Sequence, residues 1–175
     1  MNRKRFIVGI LAAGCVIATS MLMPDVGNAQ PDPKVEKAMG LLKAKTATLG
    51  APKLEGKDPV GGKDAPGLYF GTTKMNNNFT LVDEVKTEAG GTATLFVRAG
   101  DEFVRVTTNV PKPDGSGRAI GTVLDPNGKA IAAIRQGQAF YGDVPILGTP
   151  YVTGYEPIKD PSGGVIGVYY VGYQK

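Results

Sequence analysis

Residues Gln138 to Tyr173 constrain the fold more than any other part of this chain. They read QAFYGDVPILGTPYVTGYEPIKDPSGGVIGVYYVGY. Tyr151, Thr153 and Tyr155 alternate with Val152 and Gly154, and Val165 to Val171 is almost wholly β-branched, aromatic or glycine. Between the two runs stands a turn, Asp160-Pro161-Ser162-Gly163-Gly164. Alternation and β-branched enrichment between Gly/Pro punctuation specify strands, and a short glycine-containing turn between two such runs specifies a hairpin. Pro145, Pro150 and Pro157 each lack a ladder donor and belong at strand starts, edges or bulges. We expect three consecutive antiparallel strands, about 138–147, 149–158 and 164–173, forming the centre of one sheet.

The rest of the chain suits that expectation. Glycine (25) and proline (13) favour turns and short strands over long helices, and 42% hydrophobic residues is too many for a disordered chain. Asp32 to Leu49 has helical spacing, with Val35, Met39, Leu42 and Leu49 near one face and Ala38 and Leu41 beside them. Asp32 can cap this helix, Pro33 suits its first position, and Gly50 and Pro52 stop it. Residues 51–67 carry Gly, Pro, Lys and Asp without an apolar period, which predicts a loop. Asn76-Asn77-Asn78 tolerates left-handed backbone, and Phe79 to Lys86 alternates loosely, as the first strand of the main sheet would. Thr92 to Arg98 and Glu102 to Val110, joined by Ala99-Gly100-Asp101, form the clearest hairpin. Strict alternation there puts Phe103, Arg105 and Thr107 on one face and Val104, Val106 and Thr108 on the other. Pro111 to Gly117 is a loop, Asp125 to Gly128 a turn, and Lys129 to Gln136 a helix with Ile131 and Ile134 inward.

Met1 to Ala29 has a basic start, an apolar stretch from Phe6 to Met23, and Gly27-Asn28-Ala29 before Gln30, the layout of a secretory signal. Two alternatives stay open: an uncleaved anchor, since an apolar stretch of about 18 residues lies near the lower limit for a span, and a lipoprotein, since Leu11-Ala12-Ala13-Gly14-Cys15 is similar to a lipobox. In each case the folded part lies outside the cytoplasmic membrane, periplasmic or secreted if cleaved. Removing 29 residues from 175 leaves 146, one ordinary domain. The basic excess of four falls to two once Arg3, Lys4, Arg5 and Asp25 are set aside. With no Lys/Arg stripe, nucleic acid is not an expected partner.

The chain has no histidine and one cysteine, Cys15, within the expected signal. A mature disulfide, a Cys/His zinc site, a cysteine nucleophile and a Ser-His-Asp triad are therefore excluded. No nucleophile elbow or phosphate loop is present. Neither catalysis, nor a bound metal, nor a cofactor is expected.

The C-terminal pattern Y-G-x-V-P-I-L-G, then Y-x-x-x-Y-E-P-I-K-D, then G-G-V-I-G-V-x-Y-V-G resembles bacterial Cache sensor domains, most closely the fusion of the type-three and type-two Cache families. G-D-E-F-V-R-V-T-T-N-V and D-G-S-G-R-A-I-G-T-V-L-D extend the likeness over Gly91 to Gly172. Such domains occur outside the membrane in chemotaxis receptors and sensor kinases. The resemblance implies an α+β, PAS-like fold: an N-terminal helix and a five- or six-stranded antiparallel sheet, with short helices and loops covering one face. The expected divisions are a signal peptide at 1–29, a helix at 30–50, a loop at 51–67 and the PAS-like sensor domain at 68–175. The resemblance implies a small-molecule ligand, a short-chain carboxylate being the first expectation, in signal transduction or chemotaxis. The chain stops at Lys175, where a receptor would continue, so a stand-alone module is expected, with a membrane receptor as a candidate partner. The alternative is a structural or interaction module that has lost its ligand. A filled apolar pocket with Arg105 turned outward would mark that case.

Arg105 is the strongest candidate for a ligand anchor. It stands mid-strand between Val104 and Val106, and a guanidinium fork binds a carboxylate through two parallel hydrogen bonds. The alternative is an arginine at a sheet edge, or one paired with a structural acid such as Asp101 or Asp125. Thr107 is a candidate to complete the shell. Arg118 follows a flexible loop and is a candidate to close over an anion, or else a solvated cation. Tyr141, Tyr151 and Tyr155 combine apolar bodies with hydroxyl tips, suited to orienting a ligand or to serving as core aromatics.

Overall fold

The structure, a computed structural model, describes residues 31–175; the expected signal segment and its cleavage site lie outside them. The chain opens with α1 (Pro33–Ala47), where the Asp32 carboxylate accepts from the Lys34 amide at 2.8 Å and Pro33 takes the first turn. Val35, Ala38, Met39 and Leu42 form the buried stripe. The helix ends before Leu49, which is exposed.

Residues 51–67 are not a loop. They fold into a hairpin of β1 (Pro52–Val60) and β2 (Lys63–Phe70), joined by Gly61-Gly62, both at positive φ. Such a two-glycine turn matches the twist of paired strands. The apolar alternation is missing because β1 is an almost wholly exposed edge, where prolines and charges block further pairing. The burial falls on β2, through Ala65, Leu68 and Phe70. The two-residue β3 (Thr73–Lys74) completes a three-stranded sheet.

Phe79 to Lys86 is likewise not a strand. Thr80–Ala89 is helix α2, with Leu81, Val82 and Val85 buried and the Asn78 side chain accepting from the Thr80 amide. Spacings of three and four residues are helical, and the segment is too short for its pattern to exclude a strand. Asn77 takes the left-handed backbone expected of the asparagine run, at φ 59°.

The main sheet is five-stranded and antiparallel, with β4 (Thr92–Ala99), β5 (Glu102–Thr108), β6 (Phe140–Ile146), β7 (Thr149–Lys159) and β8 (Val165–Gln174) in the order β5-β4-β8-β7-β6. The three C-terminal strands form as expected, but only β8 is central and β6 is an edge. The reason is that β4 pairs with the free side of β8, from Thr92 opposite Gly172 to Val97 opposite Gly167. The nearly continuous apolar run of β8 suits a strand buried on both faces. Residues 119–124 run along the outer side of β5, with Arg105 N donating to Thr122 O and Gly121 N to Arg105 O, each at 2.9 Å.

Each face of this sheet has its own core. On one side α1, α2 and the small sheet pack over Leu95, Val97, Val104, Val106 and Val171. On the other, helix α3 (Lys129–Arg135) buries Ala130, Ile131 and Ile134 against Phe96, Phe103, Tyr155, Val168 and Tyr170. The second face carries the candidate site.

Candidate functional site

Arg105 projects from β5 into the second face and is 4% exposed. Its guanidinium lies 5.0 Å from the centre of the Phe96 ring, on the neighbouring β4. One terminal nitrogen donates to the Thr122 hydroxyl at 3.1 Å. Nε is buried with no partner, and among the described residues no carboxylate forms an ion pair with Arg105. Neither Asp101 nor Asp125 fills that role. Burial alone disfavours the charged form and pulls the guanidinium below its ordinary range. A buried cation with an open donor is costly unless something outside the protein completes it.

Arg105 borders a cavity of about 390 Å³. Arg105 and Tyr155 lie at its base. Val123, Leu124 and Ala130 form one wall, and Val144, Pro145, Ile146 and Leu147 of β6 and its turn form another. Asp125, Asn127, Lys129 and Asp143 stand at the exposed rim. The volume lies in the range of small-molecule sites, which are concave, mostly apolar and supplied with a few placed polar groups.

The tyrosines divide. Tyr155 is 2% exposed, packs with its ring tilted 49° to that of Tyr170 at 5.0 Å between centres, and makes no hydrogen bond through its hydroxyl among the described residues. Burial pushes that hydroxyl well above the ordinary tyrosine range, so it is a neutral donor across the physiological range. Tyr151 shares its face of β7 but packs in the core beside the cavity without lining it. Tyr141 faces the opposite side, where its hydroxyl meets Glu156 at 2.5 Å, and Glu156 also pairs with Lys43 of α1.

Thr107 does not share a face with Arg105. The β4–β5 ladder pairs Leu95 with Thr107 but Phe96 with Arg105, so β5 carries a bulge at Val106. One extra residue reverses the alternation. Thr107 therefore donates to Asn78 O beside α2, while Thr108 takes the inner face and meets Thr94 at 2.6 Å.

Arg118 neither closes over the cavity nor stands free in solvent. It forks onto Asp83 of α2 at 2.7 and 2.9 Å, donates to Thr108 O, and lies over the Phe79 ring. That geometry clamps the 109–118 loop to α2. The cavity walls at 123–130 and 144–147 went unseen in the sequence because apolar wall residues look like core residues. The Asp125-Pro126-Asn127-Gly128 turn was their one visible marker.

Among the described residues no group of His, Cys, Asp and Glu could hold a metal ion, and no helix is long and apolar enough to cross a membrane. A larger groove of about 610 Å³ lies beside Asp32 and Glu36, whose carboxylates would repel an anion.

The fold and site together define a PAS-like α+β domain with a ligand-sized cavity on one face of its sheet. The family model for the Cache 3/Cache 2 fusion domain matches residues 28–175, and the chain belongs to that family. Cache domains are extracytoplasmic, bind small molecules and are typically non-catalytic. No curated protein sequence matches the chain.

Proposed function

We propose that this chain is the ligand-binding module of an extracytoplasmic signalling system, and that Arg105 anchors the carboxylate of a small organic acid. The observation that carries the reading is the buried guanidinium with an unpartnered Nε at the base of an open cavity. Tyr155 supplies a neutral hydroxyl to the same carboxylate. The interaction-module alternative calls for a filled pocket and an outward Arg105, and the geometry favours the ligand reading on both counts. The module reaches its compartment through a signal cleaved before Gln30 and acts through a membrane receptor in chemotaxis or a related pathway.

Calorimetry with small carboxylates tests the anchor. Arg105→Ala should weaken binding about ten- to hundredfold, the worth of a charge-assisted bond of about 1.5–3 kcal/mol. Arg105→Lys should recover only part, because an ammonium cannot reproduce the planar fork. A folded Arg105→Ala protein that binds as tightly as wild type would place the anchor elsewhere.

A further inference from the structure

The cavity is polar at its base and at its rim and apolar in between. Its one buried cation lies at the base, and the walls between base and rim are hydrocarbon: Leu124, Ala130, Val144 and Ile146. At the rim the charges offset one another. Asp143 is held by Lys175 at 2.5 Å, and Asp125 faces solvent together with Lys129. Asp125 also caps its own turn by accepting from the Asn127 amide at 3.0 Å. Exposed charges of this kind contribute little to binding a second ionic group.

Leu147 is the second, independent observation. It occupies the β6–β7 turn at φ 50°, lines the cavity mouth and is 40% exposed. A two-residue hairpin turn with positive φ ordinarily holds Asn or Gly. Here the chain keeps a branched apolar side chain in that position, partly in water and beside the opening.

We propose that the occupant is a monocarboxylate with an apolar tail, held head-in on Arg105 and Tyr155 with its tail running along Val144 and Ile146 to Leu147. This rests on the anchor reading above and adds ligand class and orientation. A two-carbon acid satisfies the cation but leaves the hydrocarbon walls wet. A dicarboxylate places its second charge against those walls or at an electrically balanced rim. Tail length then sets affinity, with each buried methylene tightening binding about fourfold.

The test is calorimetry of the full chain against acetate, butyrate, hexanoate and adipate. Affinity should rise from acetate to hexanoate at about fourfold per methylene until the cavity is filled, and adipate should bind more weakly than hexanoate. Leu147→Asn, which suits the left-handed turn, should weaken hexanoate severalfold and acetate far less, so the hexanoate-to-acetate affinity ratio falls. Equal affinities along the series, each lost in Arg105→Ala, would overturn the tail while leaving the anchor intact. Tighter binding of adipate than hexanoate would likewise overturn the ligand class. Binding of none of these acids would count against the anchor itself.

Discussion

Arg105→Met in the ligand-free protein separates a functional arginine from a structural one. The substitution keeps an unbranched chain of similar reach and removes the charge. It forfeits the bond to Thr122, worth about 1 kcal/mol, and the contact over Phe96, worth about 1 kcal/mol. Methionine sulfur over an aromatic ring restores part of the latter. Thr122 is not orphaned, because its hydroxyl still donates to Ala119 O at 2.8 Å. Against these losses stands relief of the unpartnered Nε, about 1–3 kcal/mol, and of a buried charge whose effective desolvation is several kcal/mol. The balance favours methionine by about 1–3 kcal/mol, a Tm increase of roughly 3 °C per kcal/mol for a domain of this size. The assay is thermal and urea unfolding by circular dichroism, after unfolding, dialysis and refolding to strip any carried ligand, because a bound ligand stabilises the native state by mass action. A Tm several degrees below wild type would refute the reasoning and make Arg105 a structural residue.

Three further outcomes follow from the same geometry. Arg118→Ala should destabilise the fold by about 1 kcal/mol, since its fork onto Asp83 is well formed but partly exposed, and should leave carboxylate affinity within about twofold of wild type; a large loss of affinity would return Arg118 to the site. Gly121→Ala should cost about 2 kcal/mol or more in urea unfolding, because Gly121 sits at φ 78° and a Cβ there would lie 2.7 Å from Val60 O. Asp160 accepts from Ser162 N, Ser162 Oγ and Gly164 N, and these hydrogen bonds hold its pKa below the ordinary carboxylate value. A depressed folded pKa stabilises above the unfolded value and is lost as pH falls through the folded one. Asp160→Asn should therefore lower Tm at pH 7, with the gap closing below about pH 4; a gap that persists at pH 2 would show that the charge is not the cause.

Local pattern determined much of this molecule. The Asp32-Pro33 start of α1, the β4–β5 hairpin, α3 and the three C-terminal strands are written in short-range signals, where neighbours along the chain decide conformation. Arg105 was legible as a candidate only, because alternation lets a mid-strand cation face either solvent or the interior, and the packing of both sheet faces decided for the interior. Other features depended on contacts that a linear reading does not contain. β1 became a strand through the ladder offered by β2, and α2 through the apolar surface of β4 and α1. The position of β8 between β4 and β7 is a long-range pairing that no segment encodes alone. A single bulged residue, Val106, moved Thr107 off the site face, and Asp83, 35 residues away, took Arg118 from solvent into a clamp. The cavity itself is a property of tertiary structure. Its walls use the same Leu, Ile and Val that fill the core, and only the folded arrangement determines which apolar side chains meet one another and which border an open space.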